Sequence, residues 1–162
     1  MFTSFDKDVK RGKIGEDIFK EDFLDFLNIK YIDVTQEQGF QVIDSDFLVK
    51  VGKYEVKTNY KDDKHLIIEE YTNINEELGP IKLGWFYTSQ ADVIAFVSKD
   101  SRTIILLPFT EKFKQHYINI RENFKLHLNR ISYRNNIKWQ SAYRRIPLIA
   151  INGFFAIYRK QI

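Results

Sequence analysis

The first regular hydrophobic pattern in the chain lies in residues 10–28, which we predict to form an amphipathic helix. Apolar residues recur there at the three- and four-residue spacing of one helix face: Phe19, Phe23, Phe26 and Leu27. Glu16 departs from the pattern, because at about 100° per residue it projects between Phe23 and Leu27. This carboxylate either answers the helix dipole from the first turn or belongs to a site.

Alternating and β-branched residues in the middle of the chain predict short strands. The predicted strands cover residues 31–35, 40–43, 46–51, 54–58, 66–71, 91–98 and 102–109. The pair Gly52-Lys53 is predicted to be the tight turn that joins the third and fourth of these strands as an antiparallel hairpin. Residues 36–39 are predicted to form a turn. Residues 72–84 are predicted to form a loop, because glycine and proline interrupt them.

The last third of the chain is predicted to contain one long helix and one strand. An apolar stripe at helical spacing predicts an amphipathic helix over residues 110–131. Residues 132–145 are basic and have no clear period, and residues 148–158 are predicted to form a final strand. Because strands dominate the middle and helices flank them, we predict one α/β domain over residues 1–162, with a basic helical or irregular segment at about residues 110–145.

Composition excludes several classes of chemistry. The chain has no cysteine, so disulfides, thiolate zinc sites and a cysteine nucleophile are excluded. Its three histidines lack the spacing of the common zinc motifs, and the glycine-rich motif of ATPases and the nucleophile elbow of hydrolases are not in the sequence. The first residues have no apolar segment of the kind that secretory signals contain, so we expect a cytoplasmic protein.

Charge is distributed unevenly along the chain. Residues 110–162 contain 11 Lys and Arg against 2 Asp and Glu, whereas residues 1–109 contain 14 against 20. This asymmetry is expected when one part of a protein collects cations and another part contacts a polyanion. A random scatter of solvated charge is the alternative interpretation.

The predicted hairpin SDFLVKVGKYEVKT carries three charges among strand-forming residues. Glu55 and Lys57 point to the same face of their strand, because side chains alternate along a strand. Asp46 lies at the start of the neighbouring strand, from which it could reach the Glu55–Lys57 end. The alternative is an exposed hairpin edge that these charges protect from aggregation.

Convergence of Glu16, Asp46 and Glu55 would bring together carboxylates that repel each other unless a cation neutralises them. Oxygen ligands without nitrogen or sulfur select Mg²⁺ or Mn²⁺. A neighbouring lysine can orient an attacking water or stabilise charge on a phosphate. These residue types therefore suit the hydrolysis of phosphodiesters.

The segments GKIGEDIFKEDF, SDFLV and YEVKT together resemble the PD-(D/E)xK nuclease superfamily over roughly residues 10–60. The order and spacing are most similar to archaeal-type Holliday junction resolvases and small phage nucleases. The resemblance implies a restriction-endonuclease-like mixed central β-sheet flanked by helices, Mg²⁺ dependence and DNA cleavage. Ser45 replaces the proline of the first motif half.

The resemblance also implies roles for individual residues. Asp46, Glu55 and the backbone carbonyl of Val56 would be metal ligands, Lys57 would act on the water, and Glu16 would be the helix-borne acid. Asp44 is an alternative to Asp46. The resemblance further implies a homodimer, since two strands must be cut. Glu69 and Glu70 are more simply acids at the end of a strand, and the triplet from Trp85 to Tyr87 is predicted to lie in the core.

Basic and aromatic residues alternate after the long predicted helix and suit a surface that follows a phosphate backbone. The expected nucleic-acid-binding residues are Arg130, Arg134, Lys138, Arg144 and Arg145. We therefore expect a Mg²⁺-dependent DNA endonuclease. The alternatives are a structure-selective Holliday junction resolvase, a nuclease directed at RNA, and a catalytically inactive DNA-binding module of the same fold.

Overall fold

The computed structural model describes residues 4–41, 45–50, 52–59, 64–75, 79–134 and 137–159. The first helix, α1, continues into a π-helical segment, and the helices that follow are short. The helical elements are α1 Ser4–Phe19, the π segment Lys20–Asp25, α2 Gln38–Gln41, α3 Trp85–Thr88, α4 Glu111–Ile120 and 3₁₀ turns at Arg121–Asn123 and Leu148–Ile151. Within these ranges, no helix has the length and apolar character needed to cross a membrane.

Strands make up a larger share of the described residues than helices do. The strands are β1 Tyr31–Asp33, β2 Phe47–Val49, β3 Gly52–Asn59, β4 His65–Asn75, β5 Gly79–Leu83, β6 Val93–Ser98, β7 Thr103–Pro108, β8 Leu126–Leu128, β9 Ser132–Arg134, β10 Ile137–Trp139, β11 Ala142–Pro147 and β12 Ala156–Arg159. Six of these form a central sheet in the order β1-β2-β3-β6-β7-β12. Because β3 and β6 run parallel and the other neighbours antiparallel, the sheet is mixed, which confirms the predicted α/β class.

Helix α1 covers one face of the central sheet through an aromatic contact. The ring centroid of Phe19 lies 5.6 Å from that of Phe47 and 5.5 Å from that of Tyr54. Gly15 permits this close approach, because a Cβ atom there would lie 1.9 Å from Thr58 Oγ1. The packing of the helix backbone on β3 therefore fixes the position of Glu16, the next residue along α1, relative to the sheet.

The opposite face of the central sheet is covered by a second layer. The strands β5-β4-β11-β8 form an antiparallel sheet, while β9 and β10 pair as a separate ribbon. Leu66 and Ile146 from this second sheet pack in one cluster with Phe96 of the central sheet. Trp85 and Phe86 are buried in the same cluster, which confirms their predicted place in the core, and Tyr87 is 37% exposed.

The predicted apolar stripe of the first helix is only half correct. Phe19 and Phe23 are buried as predicted, together with Ile18 and Leu24. Phe26 and Leu27 were predicted to be buried but are 53% and 45% exposed. The cause is the π segment, whose wider turn shifts the buried face relative to the 3.6-residue period. The helix also begins before residue 10 and gives way to a turn at residues 26–28.

The charged hairpin forms, but its predicted turn at Gly52-Lys53 is wrong. Gly52 already pairs with Val49 and Lys53 with Leu48 in the β2–β3 ladder, so the chain reverses before Gly52. Glycine is needed there for another reason, because a Cβ at Gly52 would lie 2.8 Å from Asp92 Oδ2. The strand predicted over residues 40–43 is helical at residues 40–41. Residues 42–43 and the alternative ligand Asp44 lie outside the described residues.

The loop predicted over residues 72–84 is also wrong. Strand β4 continues to residue 75, and β5 occupies residues 79–83 with Pro80 inside it. Proline lacks a backbone donor, which a strand tolerates at the edge of a sheet, and β5 is an edge strand of the second sheet. Proline therefore marks the edge of a sheet there.

The long helix predicted over residues 110–131 ends early. The Thr110 hydroxyl accepts from the Phe113 backbone N–H and caps α4, but the α-helix stops at residue 120. The following apolar residues enter β8, which pairs with β11. The segment predicted as irregular therefore contains β9, β10 and most of β11. The predicted last strand is a 3₁₀ turn followed by the shorter β12.

Candidate functional site

Asp46 is attached to β3 by both its backbone and its side chain. Its backbone N–H donates to the Tyr54 carbonyl at 2.8 Å, and its own carbonyl accepts from the Val34 N–H at 2.9 Å. Its Oδ2 accepts from the Val56 N–H at 2.6 Å, a position that a backbone carbonyl occupies in a regular ladder. The carboxylate of Asp46 is therefore held against the backbone between Glu55 and Lys57.

Glu55 and Lys57 form a direct ion pair between Glu55 Oε1 and Lys57 Nζ. Glu55 is 6% exposed, so most of its surface is removed from water. Lys57 Nζ also lies 5.6 Å from the ring centroid of Trp85, within range of a cation–π contact. The ammonium group is therefore positioned by a carboxylate and by an aromatic ring.

Glu16 approaches this hairpin from α1, with 20% of its side chain exposed and Lys13 Nζ 3.8 Å from its Oε2. Burial raises the pKa of the Glu16 carboxyl, Lys13 lowers it, and the negative charges of nearby acids, including Asp33 and Glu55, raise it further. Glu16 is thus partly buried, as its position on the apolar face predicted. The contribution of Glu55 to this pKa is the smallest of these, because α1 packs on the face of β3 that Tyr54 and Thr58 present, whereas Glu55 and Lys57 alternate to the other face.

Asp33 is an acid that the sequence did not single out and that the structure places beside Glu16. In β1 it pairs with Phe47, the residue after Asp46. Its Oδ1 accepts from the Thr35 hydroxyl at 2.7 Å, and Lys20 Nζ lies 3.6 Å from its Oδ2. Burial acts to raise its pKa, but the Thr35 hydrogen bonds and nearby lysines outweigh it and hold the pKa below its usual range. The sequence alone gave no sign that Asp33 lies near the candidate site, because its position depends on the pairing of β1 with β2.

The donor chemistry of this region fits a hard divalent cation. Glu16, Asp46 and Glu55 offer carboxylate oxygens only, which is the preference of Mg²⁺ and Mn²⁺. A cation would also relieve the repulsion that contributes to the raised pKa of Glu16. In the described part of the chain, however, no group of three or more His, Cys, Asp or Glu side chains forms a ready metal cluster. The ligand types on the hairpin therefore suit a divalent cation. In this structure Glu55 forms an ion pair with Lys57.

The expected nucleic-acid-binding residues fall in different places. Arg130 and Arg145 are exposed, before β9 and on β11. The backbone places Arg134 on β9 and Lys138 on β10, the two strands of the ribbon. Arg144 is 7% exposed, because it points from β11 toward the interior. Its expected phosphate contact is incompatible with this burial.

Arg144 belongs to a buried polar network centred on Glu70. Its Nε lies 3.0 Å from Glu70 Oε1, and its Nη2 lies 3.1 Å from both carboxylate oxygens of Glu122. Its Nη1 donates to the Phe124 carbonyl. The Tyr117 hydroxyl donates to Glu70 at 2.6 Å, and burial together with this bond raises the tyrosine pKa. The network joins α4, β4 and β11.

Comparisons of the chain with known protein families, with curated proteins and with solved structures find no match. The function is therefore argued from the molecule itself: an α/β fold with a mixed central sheet, and a hairpin that carries Asp46, Glu55 and Lys57.

Proposed function

We propose that the protein is a Mg²⁺-dependent DNA endonuclease with a site of the PD-(D/E)xK type on a restriction-endonuclease-like sheet. One observation supports this proposal above the others. The Asp46 carboxylate binds the backbone N–H of Val56, the residue between Glu55 and Lys57. The bond brings Asp46 to the Glu55–Lys57 segment of the neighbouring strand, in the order that the resemblance implies.

Asp46, Glu55 and the Val56 carbonyl would hold Mg²⁺ or Mn²⁺ at this point. When bound, such an ion polarises a phosphoryl oxygen and lowers the pKa of bound water. Lys57 donates hydrogen bonds to the attacking water or to a phosphate oxygen and stabilises negative charge there. Glu16, the helix-borne acid that the resemblance implies, would hold or accept a proton from the α1 side of the sheet, which is opposite to the side that Glu55 and Lys57 face.

Trp85 supports the proposed role of Lys57 by limiting where the ammonium can go. The ring lies beside Nζ and is itself 7% exposed, packed against Phe96 and Phe109. A lysine held by a rigid aromatic neighbour loses less side-chain freedom when it binds a phosphate. This arrangement suits a catalytic lysine.

Plasmid nicking in Mg²⁺ and in EDTA tests the proposal. The wild-type protein should convert supercoiled plasmid to nicked and linear forms only with the metal. Asp46→Asn should reduce the nicking rate by at least about 100-fold, because it removes a ligand charge from the metal. Far-ultraviolet circular dichroism of the variant shows whether the fold is retained.

Asp100→Asn is the matched control, since Asp100 is an exposed acid in the turn between β6 and β7. It should nick at the wild-type rate. Nicking that persists in EDTA, or full activity of a folded Asp46→Asn variant, would refute the proposed mechanism. Parallel reactions with a linear duplex, a four-way junction and RNA separate a general endonuclease from a junction resolvase and from an RNA-directed nuclease.

A non-catalytic DNA-binding module of the same fold is the second candidate. It is favoured by the ion pair between Lys57 and Glu55, which satisfies both charges without a metal. Calorimetric titration with Mg²⁺ distinguishes the two candidates. If the protein is an endonuclease, it should bind Mg²⁺, and the Asp46→Asn variant should bind the ion more weakly. A non-catalytic module should bind DNA but show no heat of Mg²⁺ binding.

The proposed enzyme is a homodimer, because cutting both strands of a duplex requires two such sites. Sedimentation velocity at micromolar concentration tests this part separately. A monomer under all conditions that also linearises plasmid would contradict it.

A further inference from the structure

The outer face of the second sheet carries a stacked aromatic pair. His127 on β8 lies directly opposite Tyr143 on β11. Their ring centroids are 5.4 Å apart, with an interplanar angle of 20°. The next residues on β11 alternate, so that Arg144 and Ile146 point to the interior and are buried. The two rings therefore lie on the solvent side of the sheet, where both are partly exposed.

Exposed cations lie next to these rings. Arg145 follows Tyr143 by two positions on β11, and Lys125 precedes His127 by two positions, the spacing that places side chains on one face of an extended chain. Among the described residues of the four strands, one acid also lies on this face. Glu69 is opposite Tyr143 on β4, and its carboxylate accepts from the Thr72 hydroxyl at 3.2 Å. Two cations and two rings outweigh this single carboxylate.

We propose that this face binds single-stranded DNA, with bases stacked on His127 and Tyr143 and phosphates bound by Arg145 and Lys125. Every base has a flat π-face, so aromatic side chains on an open sheet hold unpaired bases without sequence preference, and neighbouring cations follow the backbone. The bases of a duplex are already stacked on each other and leave no face for these rings. The platform therefore selects strands that are already unpaired.

This inference rests on the proposed function for the choice of DNA as the partner, and it names the form of the substrate. The basic excess of residues 110–162 supports it, since β8 and β11 both belong to that part of the chain. A nuclease with such a platform would cut flaps, gaps or branched DNA, in which a single strand adjoins the bond to be broken.

Fluorescence anisotropy of a labelled 15-nucleotide oligo-dT, measured in EDTA so that no cleavage occurs, tests the platform. The wild-type protein should bind oligo-dT at least about 10-fold more tightly than a duplex of equal length. Tyr143→Leu should raise the Kd about 5- to 100-fold, because a base loses its stacking partner. Tyr143→Phe keeps the ring and should stay within about 2-fold of the wild-type protein.

Arg145→Gln should raise the Kd and reduce its dependence on salt, because one phosphate contact is lost. The matched control is Lys112→Gln, which removes an exposed charge from the first turn of α4 and should leave the Kd unchanged. Tighter binding of a duplex or of oligo-rU than of oligo-dT would overturn the proposal, as would an unchanged Kd for a folded Tyr143→Leu variant.

Photocrosslinking of the wild-type protein to oligo-dT that contains 5-iodouracil avoids any dependence on variant folding. Mass spectrometry should find the crosslink at His127 or Tyr143, and a crosslink confined to other elements would overturn the platform. Because binding is measured without metal, its failure is distinguishable from failure of the nuclease proposal, which would leave oligo-dT binding intact and remove nicking alone.

Discussion

The pKa of the Glu16 carboxyl depends on the groups around it. Its ionised form is disfavoured by burial and by the acids around it, so the pKa of the carboxyl is raised in the folded protein. For an acid with a raised pKa, protonation favours the folded state. The associated stability is present below the ordinary pKa and is lost as the pH rises through the raised pKa.

Glu16→Gln should therefore stabilise the metal-free protein at pH 8 and have little effect at pH 4. The measurement is the midpoint of thermal unfolding in EDTA at both pH values. Glu37→Gln, which changes an exposed glutamate, is the control and should shift neither midpoint. A lower midpoint for Glu16→Gln at pH 8 would show that the ionised carboxylate stabilises the fold.

The sequence predicts which residues share the hairpin better than it predicts which groups each side chain contacts. Asp46, Glu55 and Lys57 were expected to share one hairpin, and they do. Arg144 and Arg145 were expected to act alike. They cannot, because strand alternation sends one inward, and composition alone does not tell which.

At the scale of elements, the contact between α1 and β3 depends on a glycine. Gly15 lies so close to the Thr58 side chain that any side chain there must displace either Thr58 or the helix. Gly12 lies one turn earlier, where the nearest atom to an added Cβ is Glu16 Oε1 at 3.9 Å. A side chain therefore has space at Gly12 but not at Gly15.

Gly15→Ala should destabilise the protein by about 1–3 kcal/mol, because the overpacked contact forces the Thr58 side chain or the helix out of its position. Gly12→Ala should instead stabilise it by up to about 1 kcal/mol, because alanine favours the helical backbone. Urea unfolding of both variants measures the two free energies. Equal effects of the two substitutions would contradict the close packing at Gly15.

The strands of the central sheet are predicted well where apolar and β-branched residues form a nearly continuous run between turn residues, as in β6 and β7. The π segment was not, because a wider turn leaves no mark in a 3.6-residue pattern. The helix predicted to residue 131 failed for a different reason. Apolar residues at helical spacing also fit a short strand, and the pairing of β8 with β11 decides between them only in the folded protein.

At the scale of the whole molecule, the buried network of Glu70 joins the second sheet to α4. Arg144 and Arg145 are adjacent in sequence but belong to different parts of the protein. Arg144 is paired with the buried carboxylate, which is 1% exposed, while Arg145 lies on the outer face. The second layer was not predicted at all, because β4 and β11 are separated by about half the chain.

Arg144→Met should destabilise the folded protein by about 3–5 kcal/mol, because it leaves Glu70 charged and buried with one partner fewer. Arg145→Met should change stability by less than about 0.5 kcal/mol and weaken DNA binding instead. Urea unfolding and anisotropy of both variants give this comparison. Weaker DNA binding by a fully stable Arg144→Met variant would contradict the assignment of the network to stability.

The bond from the Asp46 side chain to Val56 makes the proposed metal ligand part of the pairing between β2 and β3. Asparagine can still accept that bond, whereas alanine cannot, so an alanine substitution at this position would combine a weakened strand pairing with loss of the proposed ligand. The same coupling limits evolution at the hairpin. A protein of this fold without the proposed catalysis would still be selected to keep an acceptor here, so an intact Asp46 is by itself compatible with the non-catalytic candidate as well.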